Sequence, residues 1–166
     1  ILSSMGNGPY IKRITTGKII DPGIKDATNM GAAMAPAAVD TLINHFQDTG
    51  FDPSYYDLIV SGDLGYVGKD IVIDMMKKQG YDLTKNYTDC GVEIYDKSEQ
   101  DTHAGGSGCG CSASVFNGYI LKEMATGKLE KVLLMSTGAL HSTLITQQGE
   151  SIPGIAHAVA IENKRN

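Results

Sequence analysis

The sequence predicts an α/β domain with a mixed five-stranded sheet covered by helices. Three observations carry that expectation. Between residues 9 and 162, short β-branched or apolar runs alternate with longer segments of helical period, the pattern of βαβ units. The long helical segments each end on a glycine, at Gly50, Gly80 and Gly127. The last two apolar runs are joined by a loop instead of a helix, which lets the final strand run antiparallel to its neighbour.

The elements follow in order. "PYIKRITTGKII" (9–20) is β-branched and partly alternating, and reads as one strand or two. "DPGIKDATNMG" is rich in turn residues and reads as a loop. In "AAMAPAAVDTLINHFQDTG", Ala35, Val39 and Ile43 with Ala38, Leu42 and Phe46 share one helical face, and Pro36 fits a first turn. His45 is then placed on the surface of that helix. "YDLIVSG" (56–62) is a buried strand. "YVGKDIVIDMMKKQGY" is a helix with Val67, Ile71, Val72, Met75 and Met76 inward, and Lys77 and Lys78 suit its C-terminal dipole. A polar connection follows, with a short strand at "GVEIY" (91–95). "SASVFNGYILKEMATG" is a helix with Val115, Tyr119 and Met124 on one face. "KVLLMSTG" (131–138) and "IAHAVAIE" (155–162) are the last strands, and the loop between them carries His141. His157 falls within an apolar strand and reads as structural.

Composition narrows the function classes. The chain has 166 residues, 42% hydrophobic and 20% charged, an ordinary globular balance for one core. A net charge of −5 argues against a nucleic-acid binder, which shows a basic face. No apolar run approaches the roughly 20 residues that cross a bilayer, and the N-terminus lacks the pattern of a signal peptide. Three cysteines make an odd count, the two nearest each other are too close for a disulfide framework, and a reducing compartment is the natural reading. The apolar opening "ILSSMGNGPYIKRI" without a starting Met reads as the interior of a larger protein, and "ENKRN" as a polar tail.

The densest chemistry lies in "DTHAGGSGCGCSAS" (101–114). As a metal site it is weak: Cys109 and Cys111 are one residue apart, structural zinc pairs favour two to four, and Cys90 stands alone. No metal is expected. A nucleophilic cysteine needs a lowered pKa from a helix start or a nearby base. Cys109, Cys111 and His103 are close in sequence, yet buried structural thiols are the simpler reading. Glycines before a helix expose N–H groups to an anion, and also give clearance for tight packing. The stretch matches neither nucleotide-binding glycine motif.

"HAGGSGCGCSASV" resembles the "HPxGxSG" segment of thiolases, "DLIVSGDLG" looks like the strand and loop where ketoacyl synthases carry "PHQAN", and "KVLLMSTGAL" with "IPGIAHAVAIE" is similar to the last two strands of that fold. The longer runs "GNGPYIKRITTGKIIDPGIKDATNMGAAMAPAA", "DLIVSGDLGYVGKDIV" and "DTHAGGSGCGCSASV" resemble the SpoVAD family of spore-forming bacteria. That resemblance implies a thiolase-like half-domain of βαβαββ order, the C-terminal half of a longer protein. Residues 1–8 would close a missing N-terminal half, 9–162 form the C-terminal domain, and 163–166 the tail.

The resemblance also implies a function. The family handles dipicolinic acid (pyridine-2,6-dicarboxylate), taken into the developing spore and released at germination, with other membrane proteins of the SpoVA system. The implied place is peripheral on the spore inner membrane. Implied partners are dipicolinic acid, including its calcium complex, the SpoVA membrane proteins and the missing half, with a homodimer left open. No "DxDxDG" calcium loop is present.

The acyl-transfer parts are mostly missing. Aligned on the synthase loop, the "PHQAN" histidine falls at Gly62 and its asparagine at Gly65, and the second thiolase cysteine falls near Glu150 and Ser151. His103 alone stands where the thiolase pattern wants it. Acyl transfer needs a nucleophile, a proton shuttle and an oxyanion hole together, so a retained pocket without the chemistry is expected, and no cofactor. The alternative is an acyltransferase of the thiolase or ketoacyl-synthase type acting on acyl-coenzyme A, with His103 catalytic. A diacid on a flat ring wants donors at both ends. The expected ligand-binding residues are His103, Gly105, Gly106, Ser107, Gly108, Asp63 and His141.

Overall fold

The computed structural model describes residues 2–164. Five strands, β1 (Tyr10–Thr15), β2 (Leu58–Ser61), β3 (Tyr87–Asp89), β4 (Lys131–Ala139) and β5 (Gly154–Glu162), form one sheet in the order β1-β5-β4-β2-β3. β2 pairs in parallel with β3 and β4, whereas β5 is antiparallel to both β4 and β1. The mixed five-stranded sheet is as expected, including the antiparallel last strand.

The central strands are apolar runs because both faces are covered. Alternation assigns Ile59, Leu133, Met135, Ala158 and Ala160 to one core, under α1 (Met30–Thr49) and α2 (Gly65–Lys78). Val60, Val132 and Ile161 face the other core with Cys90, Cys111, Val115, Ile120 and Met124. That second cover is α4 (Cys111–Val115), a π-helical turn (Phe116–Ile120) and α5 (Leu121–Ala125), running on without a break. Short helices α3 (Cys90–Glu93) and α6 (Thr143–Gln147) complete the chain.

Several local expectations are corrected. β1 stops at Thr15, and Ile20 makes only an isolated bridge to Gly154. α1 starts at Met30 because the Asn29 side chain accepts from the Ala32 amide, which places Pro36 inside the helix and not in its first turn. Ala32 and Pro36 both lie on a half-buried side of the helix, and the proline there removes one intrahelical hydrogen bond. Val67 is exposed, one position off the buried stripe through Gly68, Val72 and Met76. The strand expected at 91–95 lies earlier, at Tyr87–Asp89. It ends where the Asp89 side chain accepts from the Gly91 amide and starts α3.

Tyr119 is also exposed. The buried positions run Cys111, Val115, Ile120, Met124, and the five-residue step from 115 to 120 is the π turn. A strict helical period misses that step and points Tyr119 inward.

His45 is fully buried, not on the surface. Its Nδ1 lies 2.7 Å from the Thr15 hydroxyl and its Nε2 2.6 Å from the Tyr56 hydroxyl, tying α1 to β1 and to the start of the β2 segment. Burial, helped by the nearby Arg13 guanidinium, lowers the His45 pKa below the ordinary histidine value. A histidine with a lowered folded pKa stabilises the fold above its unfolded pKa, and that stability is lost as pH falls. Stability is therefore expected to drop below about pH 6.5, by at most ~1.4 kcal/mol per pH unit. Urea denaturation at pH 7.5 and 5.5 checks this. A His45→Gln variant is expected to flatten the difference, and an unchanged slope would remove His45 as its source.

Candidate functional site

The C-terminal end of β2 opens into a cleft of about 160 Å³, lined by residues 27–31, Asp63, Leu64, Gly65, Val67 and residues 104–107. Three segments meet there: the start of α1, the β2–α2 turn and the glycine-rich loop. The C-terminal ends of parallel strands are where α/β sheets place ligands.

Asp89 fixes this end of the sheet. Its side chain is fully buried between β3 and α3. Oδ2 accepts from the Ser61 hydroxyl at 2.6 Å and the Leu64 amide at 2.9 Å, and Oδ1 from the amides of Gly65 at 2.8 Å and Gly91 at 2.9 Å. Tyr87 shares a 2.8 Å hydrogen bond with Ser61. Burial raises the Asp89 pKa above the usual carboxylate value, and the four donors pull the other way. Four donors fill the lone-pair directions of one carboxylate, so the group satisfies two turns at once.

Backbone then packs on backbone. The Gly106 amide donates to the Gly91 carbonyl at 2.6 Å, and the Tyr66 amide to Ala104 at 2.9 Å. A Cβ on Gly91 would strike the Gly106 carbonyl, one on Gly65 the Ala104 carbonyl, and one on Gly31 the Leu64 carbonyl. Gly65 and Gly105 also hold positive φ, of 66° and 101°.

Asp63 joins the glycine-rich loop to the sheet. Its Oδ2 accepts from the Gly108 amide at 3.0 Å and the Ser107 hydroxyl at 3.2 Å, and its Oδ1 from the Thr137 hydroxyl at 2.8 Å. Thr137 in turn accepts from the Asp63 amide at 3.1 Å.

The expected site residues divide. Asp63, Gly105, Gly106 and Ser107 line the cleft, and Gly108 is held next to it by Asp63. His103 does not line it. Its side chain is 87% exposed, with φ of 45° and Nδ1 3.3 Å from Asp101. His141 is exposed on the loop before α6 and is likewise outside the lining. His157 is exposed, with Nδ1 accepting from the Gly17 amide at 3.1 Å.

The residues of the α1 start, Asn29 to Gly31, were not among those expected, and neither were Asp89 and Thr137. The asparagine in "DATNMG" is a helix N-cap signal, and "TDCG" carries an acid two residues before a glycine.

The cysteines are placed apart from the cleft lining. Cys111 is a buried packing group, as expected, and Cys90 is buried too, but Cys109 is exposed, against expectation. Burial pushes the Cys90 thiol far up and the Cys111 thiol to about 11, so both are protonated at neutral pH. Among the described residues, no cluster of three or more His, Cys, Asp or Glu is placed to hold a metal ion, and no helix is long and apolar enough to cross a membrane.

The sequence model of the stage V sporulation protein AD (SpoVAD) family matches residues 1–162. Stage V sporulation protein AD of Bacillus subtilis (strain 168) is 46% identical over 162 residues, 98% of this chain and 48% of the relative. The chain thus spans about half the length of the curated relative it matches. Among solved structures, MvaS in complex with 3-hydroxy-3-methylglutaryl coenzyme A aligns over 92% of this chain and 39% of its own, at 13% identity and a TM-score of 0.48. The 3-oxoacyl-[acyl-carrier-protein] synthase III of Aquifex aeolicus VF5 aligns over 92% and 52%, at 13% identity and a TM-score of 0.40.

Two substitutions test the architecture of this end of the sheet. Asp89→Asn turns an NH2 group toward buried donors, and is expected to cost about 2–4 kcal/mol, since each stranded buried donor costs about 1–3 kcal/mol. Gly91→Ala drives a methyl into the Gly106 carbonyl and is expected to cost about 1–3 kcal/mol. Denaturant midpoints followed by circular dichroism measure both. A wild-type midpoint for Asp89→Asn would contradict the role given to the carboxylate.

Proposed function

The chain belongs to the stage V sporulation protein AD family, and from that membership we propose that its cleft forms one wall of a binding site for dipicolinic acid. The observation that carries the reading is the meeting of two long-helix N-termini, those of α1 and α2, with a glycine-rich loop at one cleft. Helix N-termini carry positive potential, which favours a carboxylate; at α2 the amides of Leu64, Gly65 and Tyr66 already serve Asp89 and the Ala104 carbonyl, so α2 contributes its potential and not those N–H groups.

The volume supports one wall and not a whole pocket. Small-molecule sites usually enclose about 300–1,000 Å³, and this cleft has about 160 Å³. The rest of the site comes, in this proposal, from the other half of the same protein. His103 and His141, exposed here, are then available to face that half. The proposed role is non-catalytic: dipicolinic acid, free or as its calcium complex, is held for uptake into the developing spore and release at germination. The protein acts peripherally at the spore inner membrane with other SpoVA membrane proteins, and needs no cofactor.

Two features favour binding over acyl transfer. By the resemblance, Gly62 and Gly65 of the loop after β2 stand where a synthase carries its histidine and asparagine, and Asp63 is the nearest polar side chain. The two buried thiols are protonated and lie off the cleft.

Calorimetric titration of the full-length protein separates these outcomes. Saturable heat with dipicolinate or calcium dipicolinate, and none with coenzyme A, is expected. Coenzyme A binding without dipicolinate binding would overturn the proposal in favour of an acyltransferase.

A further inference from the structure

Asp63 lines the cleft, yet three of its roughly four acceptor positions are already filled, by Thr137, Ser107 and Gly108. Its negative charge also disfavours an anionic ligand at the same oxygens. The Thr137 side chain, on the far side of Asp63, does not line the cleft. Its hydroxyl accepts from the Asp63 amide and donates to the Asp63 carboxylate, closing a two-point clasp between the end of β4 and the β2–α2 turn. The fit at that clasp is close: a Cβ on Gly62 would lie 2.7 Å from the Thr137 hydroxyl oxygen and 3.0 Å from its amide nitrogen.

We propose that Asp63 and Thr137 are positioning residues of the cleft: anchored on β4 by Thr137, Asp63 holds the glycine-rich loop at Ser107 and Gly108 in the ligand-receiving position without itself contacting ligand. The inference rests on the reading of the cleft as the dipicolinate wall, but the clasp itself is testable without ligand. β4 is central in the sheet, so it offers the loop a rigid reference. The loop's own hydrogen-bond ties to the rest of the chain are few: Gly106 to Gly91 and Tyr66 to Ala104 through backbone, and Ser107 and Gly108 to the Asp63 side chain. Freeing the last of these releases the segment just before α4, where Gly108 has a φ of 119° and open space around its Cα hydrogens.

The test uses the full-length protein with Thr137→Val, which removes the hydroxyl and nearly keeps the shape, and Thr137→Ser, which keeps the hydroxyl. Hydrogen exchange by mass spectrometry reads peptides covering residues 104–110, and calorimetry reads dipicolinate. Thr137→Val is expected to speed exchange in that segment about tenfold and to weaken dipicolinate binding about tenfold. Thr137→Ser is expected to restore both, and the thermal midpoint to move little in either. Unchanged exchange in Thr137→Val would overturn the clasp, whatever the ligand. Faster exchange with unchanged dipicolinate affinity would overturn the positioning role while leaving the dipicolinate reading intact. If Asp63→Asn alone abolishes binding while Thr137→Val binds normally, Asp63 contacts ligand directly and the proposal fails. If the wild-type protein binds no dipicolinate, the ligand reading fails, and the exchange data still decide the clasp.

Discussion

A fully buried carboxylate must find donors for its lone pairs, and Asp89 finds four, three from the distant Ser61, Leu64 and Gly65 and one from the neighbouring Gly91. Three of them are amides at turns: Leu64 and Gly65 at the start of α2, and Gly91 in α3. Backbone N–H groups at helix starts have no intrahelical partner, so the same side chain pays its own desolvation and satisfies two helix starts. Moving any one of these segments strands donors or acceptors inside the protein. The geometry of the cleft above follows, because Leu64 and Gly65 are both ligands of Asp89 and walls of the cleft.

Glycine completes what Asp89 begins. With the turns held in place, the glycine-rich loop lies against them at a distance only backbone tolerates, as the collisions at Gly65 and Gly91 show. The stretch 101–114 is therefore glycine-rich for clearance first. The same clearance leaves N–H groups and a helix start close to a shallow cleft, and clearance and anion reception are compatible uses of one sequence. Asp63 and Thr137 add a polar tie from this loop to the middle of the sheet.

Much of this was legible in the residues. The central strands announce themselves because both faces are buried, and α1 because its apolar residues repeat at three and four. What escaped has physical reasons. The π turn breaks the period that a helical wheel assumes, so a strict period points Tyr119 inward and passes over Ile120. His45 lies three residues after Leu42 on the apolar stripe, but a polar residue type argued for the surface. Its partners Thr15 and Tyr56 come from distant parts of the chain. Asp89 was hidden for the same reason: its donors at residues 61, 64 and 65 are remote in sequence. Of the site, the glycines, Ser107 and Asp63 were readable, whereas the placing of His103 in solvent depends on a loop conformation with positive φ that no spacing rule predicts.

The account depends most on Asp89 holding the two turns as one unit. Native-state hydrogen exchange at the amides of Leu64, Gly65 and Gly91, resolved by NMR, tests that claim directly. The account predicts that all three exchange only through global unfolding, with one shared protection free energy equal to that of the central strands. Exchange of any of them through a much cheaper local opening would show that the turns move independently, and would contradict a carboxylate-locked cleft.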